Sequence, residues 1–144
     1  NYTTPPYGVE AIWPLVAMMV DGVPHIQHMI ANANEATNYI HAAMMAGSKK
    51  DANDIIYIMS ASRDYNPEPL LSAIKTKVFA LDFTDDALDS PEFYRMPALI
   101  KQVKHGRWIL QKGTPTSHGH FTLLYPELWI KQAKRFVSWV NHSQ

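Results

Sequence analysis

The chain has 144 residues and a mass of 16.4 kDa; 47% of its residues are apolar, only 18% are charged, and basic and acidic residues balance at 13 each. That length suits one cored domain, and the balance excludes a net field that would steer nucleic acid or an anionic membrane. The absence of cysteine removes disulfides, thiolate nucleophiles and Cys-based metal sites, and leaves the redox compartment and localisation open.

The first residues, Asn1-Tyr2-Thr3-Thr4-Pro5-Pro6, have neither an initiator Met nor the shape of a signal peptide and read as an internal start. Helical patterning then runs over Gly8–Val20, Pro24–Ala33 and Glu35–Met45, with a break at Gly47-Ser48-Lys49-Lys50. The apolar run Ala11–Val20 is too short to cross a bilayer and contains Pro14. Pro24 suits a first helical turn, where its missing N–H does no harm. Asp51 reads as an N-cap, with Asp54 in the first turn and Ile55, Ile56 and Met59 as an apolar stripe reaching about Ala61.

Near residue 65 the texture changes to alternating elements. Leu70–Ile74 begins a connecting segment. Lys77–Phe83 reads as a buried strand, and Thr84–Leu88 as the loop at its C-terminal end. Pro91–Val103 is expected to be a helix, with Pro97 as an irregularity. Arg107–Gln111 is expected to be a second strand, Lys112–Gly119 a polar loop and Pro126–Val140 a closing helix. Strand, helix, strand, helix with crossover connections is a piece of α/β architecture. Two parallel strands leave open edges and uncovered faces, so the pattern suggests a chain lacking the rest of its sheet. The low charge fraction, against roughly 25% in ordinary soluble domains, fits faces covered by more protein or simply a large core.

In open α/β sheets the chemistry gathers beyond the C-terminal ends of the strands. The loop after the first strand holds Asp85 and Asp86; the loop after the second holds His118 and His120. If the strands are neighbours, an aspartate from one loop reaches a histidine from the other, fixing its tautomer and stabilising its protonated form. The competing reading makes Asp86 a turn cap and His120 a loop residue. No G-x-S-x-G nucleophile elbow stands in the chain: Gly47-Ser48 is followed by two lysines, and Ser60 and Ser62 lack elbow glycines. His25, His28 and His41 form no H-E-x-x-H, and His118 with His120 is too small a cluster to name a metal.

Several runs resemble the homoserine O-acetyltransferase-like group of the α/β-hydrolase superfamily. These are Asp51-Ala52-Asn53-Asp54-Ile55-Ile56-Tyr57 with Ala61-Ser62-Arg63-Asp64-Tyr65-Asn66-Pro67; Phe83-Thr84-Asp85-Asp86-Ala87-Leu88 with Pro91-Glu92; Gly106-Arg107-Trp108-Ile109-Leu110; and Ser117-His118-Gly119-His120. The resemblance spans about residues 50 to 137. It implies the C-terminal part of an α/β-hydrolase fold: residues 1–62 as helical cap-like segments and a return helix, and 63–144 as the last two parallel strands with flanking helices. It places the catalytic acid on Asp86 and the base on His120, with Asp85 and His118 as the nearest competitors. It also puts Trp13, Met18, Met19, His25, Met29 and Tyr39 toward an acyl or alcohol pocket, against the alternative that they pack between helices. Homoserine-transferring members carry an aspartate after the histidine. Here that place holds Phe121, which puts homoserine specificity in doubt.

The function these readings imply is serine-type acyl transfer, as an ester hydrolase or an O-acyltransferase. The nucleophilic serine, the oxyanion donors and the remaining sheet would come from an N-terminal portion or a second chain. A small-molecule ester or alcohol is the expected substrate, with no bound cofactor and with acetyl-CoA as one acyl donor the family allows. Neither nucleic acid nor a membrane is an expected partner. The alternative is a non-catalytic α/β-hydrolase-like subunit for binding or assembly.

Overall fold

The helical texture of the first half becomes four α-helices in the computed structural model, which describes residues 7–90 and 95–142. They are α1 (Tyr7–Asp21), α2 (Val23–Met29), α3 (Ala33–Gly47) and α4 (Ala52–Ala61). α1 and α2 meet at a 98° bend over Gly22, whose φ of 77° is open to glycine and strained for other residues. No single described helix is long and apolar enough to cross a membrane. Asn32 caps α3 by accepting from the Glu35 N–H at 3.0 Å, while the Glu35 carboxylate reaches back to the Ala31 N–H at 2.7 Å. The two bonds satisfy one end donor of α3 and the N–H of the residue before its cap, and the chain leaves α2 at Met29, short of the Ala33 expected from the sequence. Asp51 caps α4 through the Asn53 N–H at 2.8 Å.

α1 packs along α3. The two helices close tightly at Gly47, where a Cβ would lie 2.5 Å from the Trp13 Cβ. At the other end the Tyr39 hydroxyl donates to the Asp21 carboxylate at 2.8 Å. Burial first, and then this hydrogen bond, pushes the Tyr39 hydroxyl's pKa well above the ordinary phenol range.

A 3-10 turn over Glu68–Ala73 leads into β1 (Val78–Phe83), which pairs in parallel with β2 (Gly106–Gln111), from Val78 beside Gly106 to Phe83 beside Gln111. Between the strands, residues 91–94 of the expected helix lie outside the described residues. The described remainder is one short turn, α5 (Met96–Leu99), followed by a 3-10 turn at Ile100–Gln102. Pro97 therefore sits in the first turn of a helix beginning at Met96, a place where proline's missing N–H is harmless. The closing helix, α6 (Ile130–Asn141), begins later than expected, because Pro126–Leu128 forms a 3-10 turn and Trp129 leaves the helical region. α6 lies against one face of the sheet, with the Phe79 and Phe136 rings stacked at 5.7 Å. On the other face Trp108 donates its indole N–H to Asp82 at 2.5 Å, which accommodates a charged residue inside a strand.

This architecture corrects the fold expected from the motifs. Among the described residues the sheet has two strands and is open at both edges, and helices dominate. The extensive parallel sheet that defines an α/β-hydrolase is not there, so neither that fold nor membership of the homoserine O-acetyltransferase-like group holds. The physical reason is one of range. A strand-and-loop motif reports on a handful of neighbouring residues, whereas fold class depends on how many strands pair and how layers stack. The buried apolar side chains among the described residues are Ala43, Phe83 and Val103. Large apolar side chains elsewhere stay in solvent, including Ile56, Tyr57, Ile58 and Met59 on α4 and Leu123 and Leu124 after the site.

Candidate functional site

Both loops that follow the strands converge at one end of the sheet. Thr84 extends the strand pairing by one residue, its N–H donating to the Gln111 carbonyl at 3.0 Å, and its hydroxyl accepts from the Gly113 N–H at 2.8 Å. The next residues, Asp85 and Asp86, turn out of the strand into two different networks.

Asp86 is buried, at 8% exposure. Its Oδ1 accepts from the N–H groups of Leu88 and Asp89 at 2.9 and 3.0 Å, closing the turn over its own carboxylate. Its Oδ2 lies 2.8 Å from Nδ1 of His120. The histidine side chain is 37% exposed against 9% for the aspartate, so the carboxylate is shielded while the far side of the ring faces outward. Asp89 stands nearby, and its carboxyl is pushed above the usual range. Burial is the first cause and the negative charges of Asp82 and Asp86 add to it, while His120 pulls the other way.

Asp85 faces the loop that delivers the histidine. Its Oδ2 accepts from the Ser117 hydroxyl at 2.6 Å and lies 3.3 Å from the Gly119 N–H. Ser117 is 5% exposed; its hydroxyl also lies 2.7 Å from the Thr114 carbonyl and accepts from the Thr114 N–H. Gly113 makes room for Asp85, since a Cβ there would stand 2.3 Å from the carboxylate. The Asp85 Oδ1 is buried and has no hydrogen-bond partner among the described residues.

Gly119, with φ of 51°, meets Gly22 at the α1–α2 bend. A Cβ on Gly119 would lie 2.6 Å from the Gly22 nitrogen, so only two glycines allow this approach of backbone to backbone. The 3-10 turn Gly119–Leu124 that carries His120 is thereby set against α1. Thr122, fully buried, accepts the His118 N–H at 2.8 Å and holds the start of the same turn. His118 itself lies between rings, 3.9 Å from His25 and 3.9 Å from Tyr125 in a near-parallel stack. Burial first and the adjacent His25 second hold its imidazole below the ordinary pKa, against the opposing pull of Asp21.

Ser117 with Asp85, and His120 with Asp86, thus form two adjacent hydrogen-bonded pairs, with the His118 ring beside them, and together they hold a triad-like set of residue types. No family model matches the chain. Neither the characterised proteins nor the solved structures give a significant match.

The expected pairing of Asp86 with His120 is present in the geometry, and the competitors are separated from it. Asp85 serves Ser117 and Gly119, and His118 is enclosed by rings. Ser117 bonds an aspartate rather than an imidazole, which is not the relay of a serine nucleophile. Of the side chains assigned to a substrate pocket, His25 is buried against His118, and Trp13 packs on Gly47 with the Lys50 ammonium 5.2 Å from its ring. Met18 and Tyr39 line a small apolar cleft with Ile26, Ile30 and Ile40, to which neither Asp86 nor His120 contributes. A cleft of about 430 Å³ adjoins Asp85 and Asp86 between Pro24, Ser90 and Lys112. Among the described residues no three His, Asp or Glu side chains gather as metal ligands.

Sequence reasoning missed Ser117, Thr122 and the Gly22–Gly119 contact. Thr122 carried a signal, a hydroxyl four residues after His118 at the start of a turn. The glycine contact joins residues 97 apart in sequence and carried none.

Proposed function

We propose that this chain is a binding and assembly unit that presents a preformed Asp86–His120 acid–base pair for use with a partner. The carrying observation is surface. The chain exposes 10,333 Å². A compact monomer of 16.4 kDa exposes roughly 7,500 Å², so about 2,800 Å² stands in excess. One side of a standard protein interface covers only about 800 Å². The excess includes the apolar surface of α4, and the open edges of β1 and β2 offer unpaired backbone groups to a further strand.

A second reading rests on the Asp86–His120 geometry. A partner supplying a hydroxyl nucleophile near the outer nitrogen of His120 would complete an acyl-transfer site. His120 Nε2 takes the hydroxyl proton as the oxygen bonds the carbonyl carbon of an ester, and Asp86 stabilises the resulting imidazolium. The same proton goes to the departing alkoxide, and water or a second alcohol accepts the acyl group. Ser117 is not that nucleophile, being buried and engaged with Asp85 and Thr114.

Sedimentation velocity and native mass on protein from its natural source test the first reading. A native mass above that of the single denatured chain is expected, together with burial of α4 in hydrogen exchange. A compact monomer, of native mass equal to its denatured mass, that binds no hydrophobic dye would refute it. Fluorophosphonate labelling of the same material tests the second. The label should land on a partner serine and disappear in H120A while the mass stays unchanged; labelling that survives H120A would end the acyl-transfer reading.

A further inference from the structure

At the opposite end of α6 from its first turn lies a feature that neither reading uses. Ser138 and Trp139 lie three and four residues after Arg135, and His142 lies four and three after them, so the four form one stripe of the helix and its cap. This stripe faces Phe79, Arg107 and Ile109, which share a sheet face by the strand register. Together they line a cleft of about 580 Å³. That volume falls in the range of about 300–1,000 Å³ typical of small-molecule sites.

The cleft is cationic in a chain that is neutral overall. From Trp129 to Gln144 there is no Asp or Glu, while Lys131, Lys134 and Arg135 are present. Among the described residues the ion pairs are Arg95–Glu68 and His120–Asp86, and neither Arg107 nor Arg135 has a carboxylate partner. Arg107 lies with its guanidinium 4.0 Å over the Trp139 ring. Stacking of this kind orients the plane and leaves the in-plane N–H donors at its rim. Arg135 donates one N–H to Gln132 at 3.0 Å and retains others. Lys77 holds the last turn of α6 in place by donating to the Trp139 and Val140 carbonyls at 3.0 and 3.1 Å.

We propose that this cleft binds a small anion with an apolar body, a carboxylate or a phosphate monoester. Arg107 and Arg135 hold the anionic oxygens, and Phe79 and Ile109 cover the apolar part. Two guanidiniums lining one cleft, with no carboxylate partner among the described residues, raise the local potential, and an anion relieves it. The planar fork of arginine matches either oxyanion in bidentate fashion. The site is independent of the Asp86–His120 pair, so either proposal can fail alone.

The test is an ¹H–¹⁵N titration of the full chain with phenyl phosphate, benzoate, inorganic phosphate and neutral benzyl alcohol. The aromatic anions should shift the Trp139 indole and the arginine side-chain signals saturably, with low-millimolar or tighter Kd. Benzyl alcohol and inorganic phosphate should each bind about tenfold more weakly. R107Q and R135Q should each weaken aromatic-anion binding about tenfold, with R135K recovering part of it. Arg135 is exposed on its helix, so R135Q keeps the fold, and unshifted signals elsewhere in the spectrum verify that. Absence of saturable shifts, or shifts indifferent to R135Q, overturns the site. Inorganic phosphate binding as tightly as phenyl phosphate overturns the apolar component.

Discussion

Replacing Asp86 by Asn changes one atom of the site and moves a proton on the histidine. In the native arrangement Oδ1 accepts two backbone N–H groups and Oδ2 faces His120 Nδ1. A hydrogen bond to a charged acceptor is worth about 1.5–3 kcal/mol, enough to favour the Nδ1–H tautomer by about 10- to 150-fold. An asparagine in that place has two orientations. With its oxygen on the Leu88 and Asp89 N–H groups, its NH₂ points at Nδ1, which must then accept. The reverse orientation sets an NH₂ against two N–H donors, at a cost of about 1–3 kcal/mol for each donor stripped of its acceptor. The first orientation therefore wins, and the ring proton moves to Nε2. The outward nitrogen then has no lone pair with which to take a proton, and general-base chemistry is lost without loss of the fold. Long-range ¹H–¹⁵N correlation at pH 8.5 reads the tautomer directly. Retention of the Nδ1 proton in D86N would refute this account of the pair.

G119A places a Cβ 2.6 Å from the Gly22 nitrogen at a φ of 51°. Left-handed strain of about 1–2 kcal/mol and overpacking of about 1–3 kcal/mol should lower stability by about 2–5 kcal/mol in urea unfolding. A loss below about 0.5 kcal/mol would show that the two backbones are not in contact. T122V removes the acceptor of the His118 N–H and should cost about 1–3 kcal/mol, with His118 and Tyr125 ring signals moving together. For His118 the folded pKa lies below its ordinary 6.5. The unfolded chain therefore binds the proton more readily, and stability is complete above about pH 6.5 and falls as pH drops toward the folded value. Urea midpoints between pH 8 and 5 should show that decline, and H118F should flatten it; an equal slope in H118F would assign the decline elsewhere. N32A, which removes the cap of α3, should cost about 1 kcal/mol, with fraying confined to the first turn of that helix in hydrogen exchange.

Much of the local structure was legible from residues close together in the chain. Asp51 before an apolar stripe announces a capped helix, because the cap bonds an N–H two or three residues away. The branched and aromatic run around Val78 announces a strand for similar reasons of local preference. Asp86 could be read as one end of a pair because its loop follows one strand while His120 follows another, and parallel neighbours bring such loops together. Pro97 looked anomalous only because residues before it were assigned to the same helix.

Other features needed the folded chain. The motif-level likeness to a hydrolase could not report that only two described strands pair, since strand number is a property of distant contacts. Nor could it separate Asp85 from Asp86: the two are adjacent and chemically identical, and only the close approach of Gly113, Ser117 and Gly119 gives them different partners. The same holds for His118 and His120, one closed between His25 and Tyr125 and the other open on its outer side. Sequence alone thus determined which chemistry-bearing residues the chain owns and which local elements carry them. Tertiary structure decided which of them meet, because backbone approach and burial are set by residues as far apart as Gly22 and Gly119.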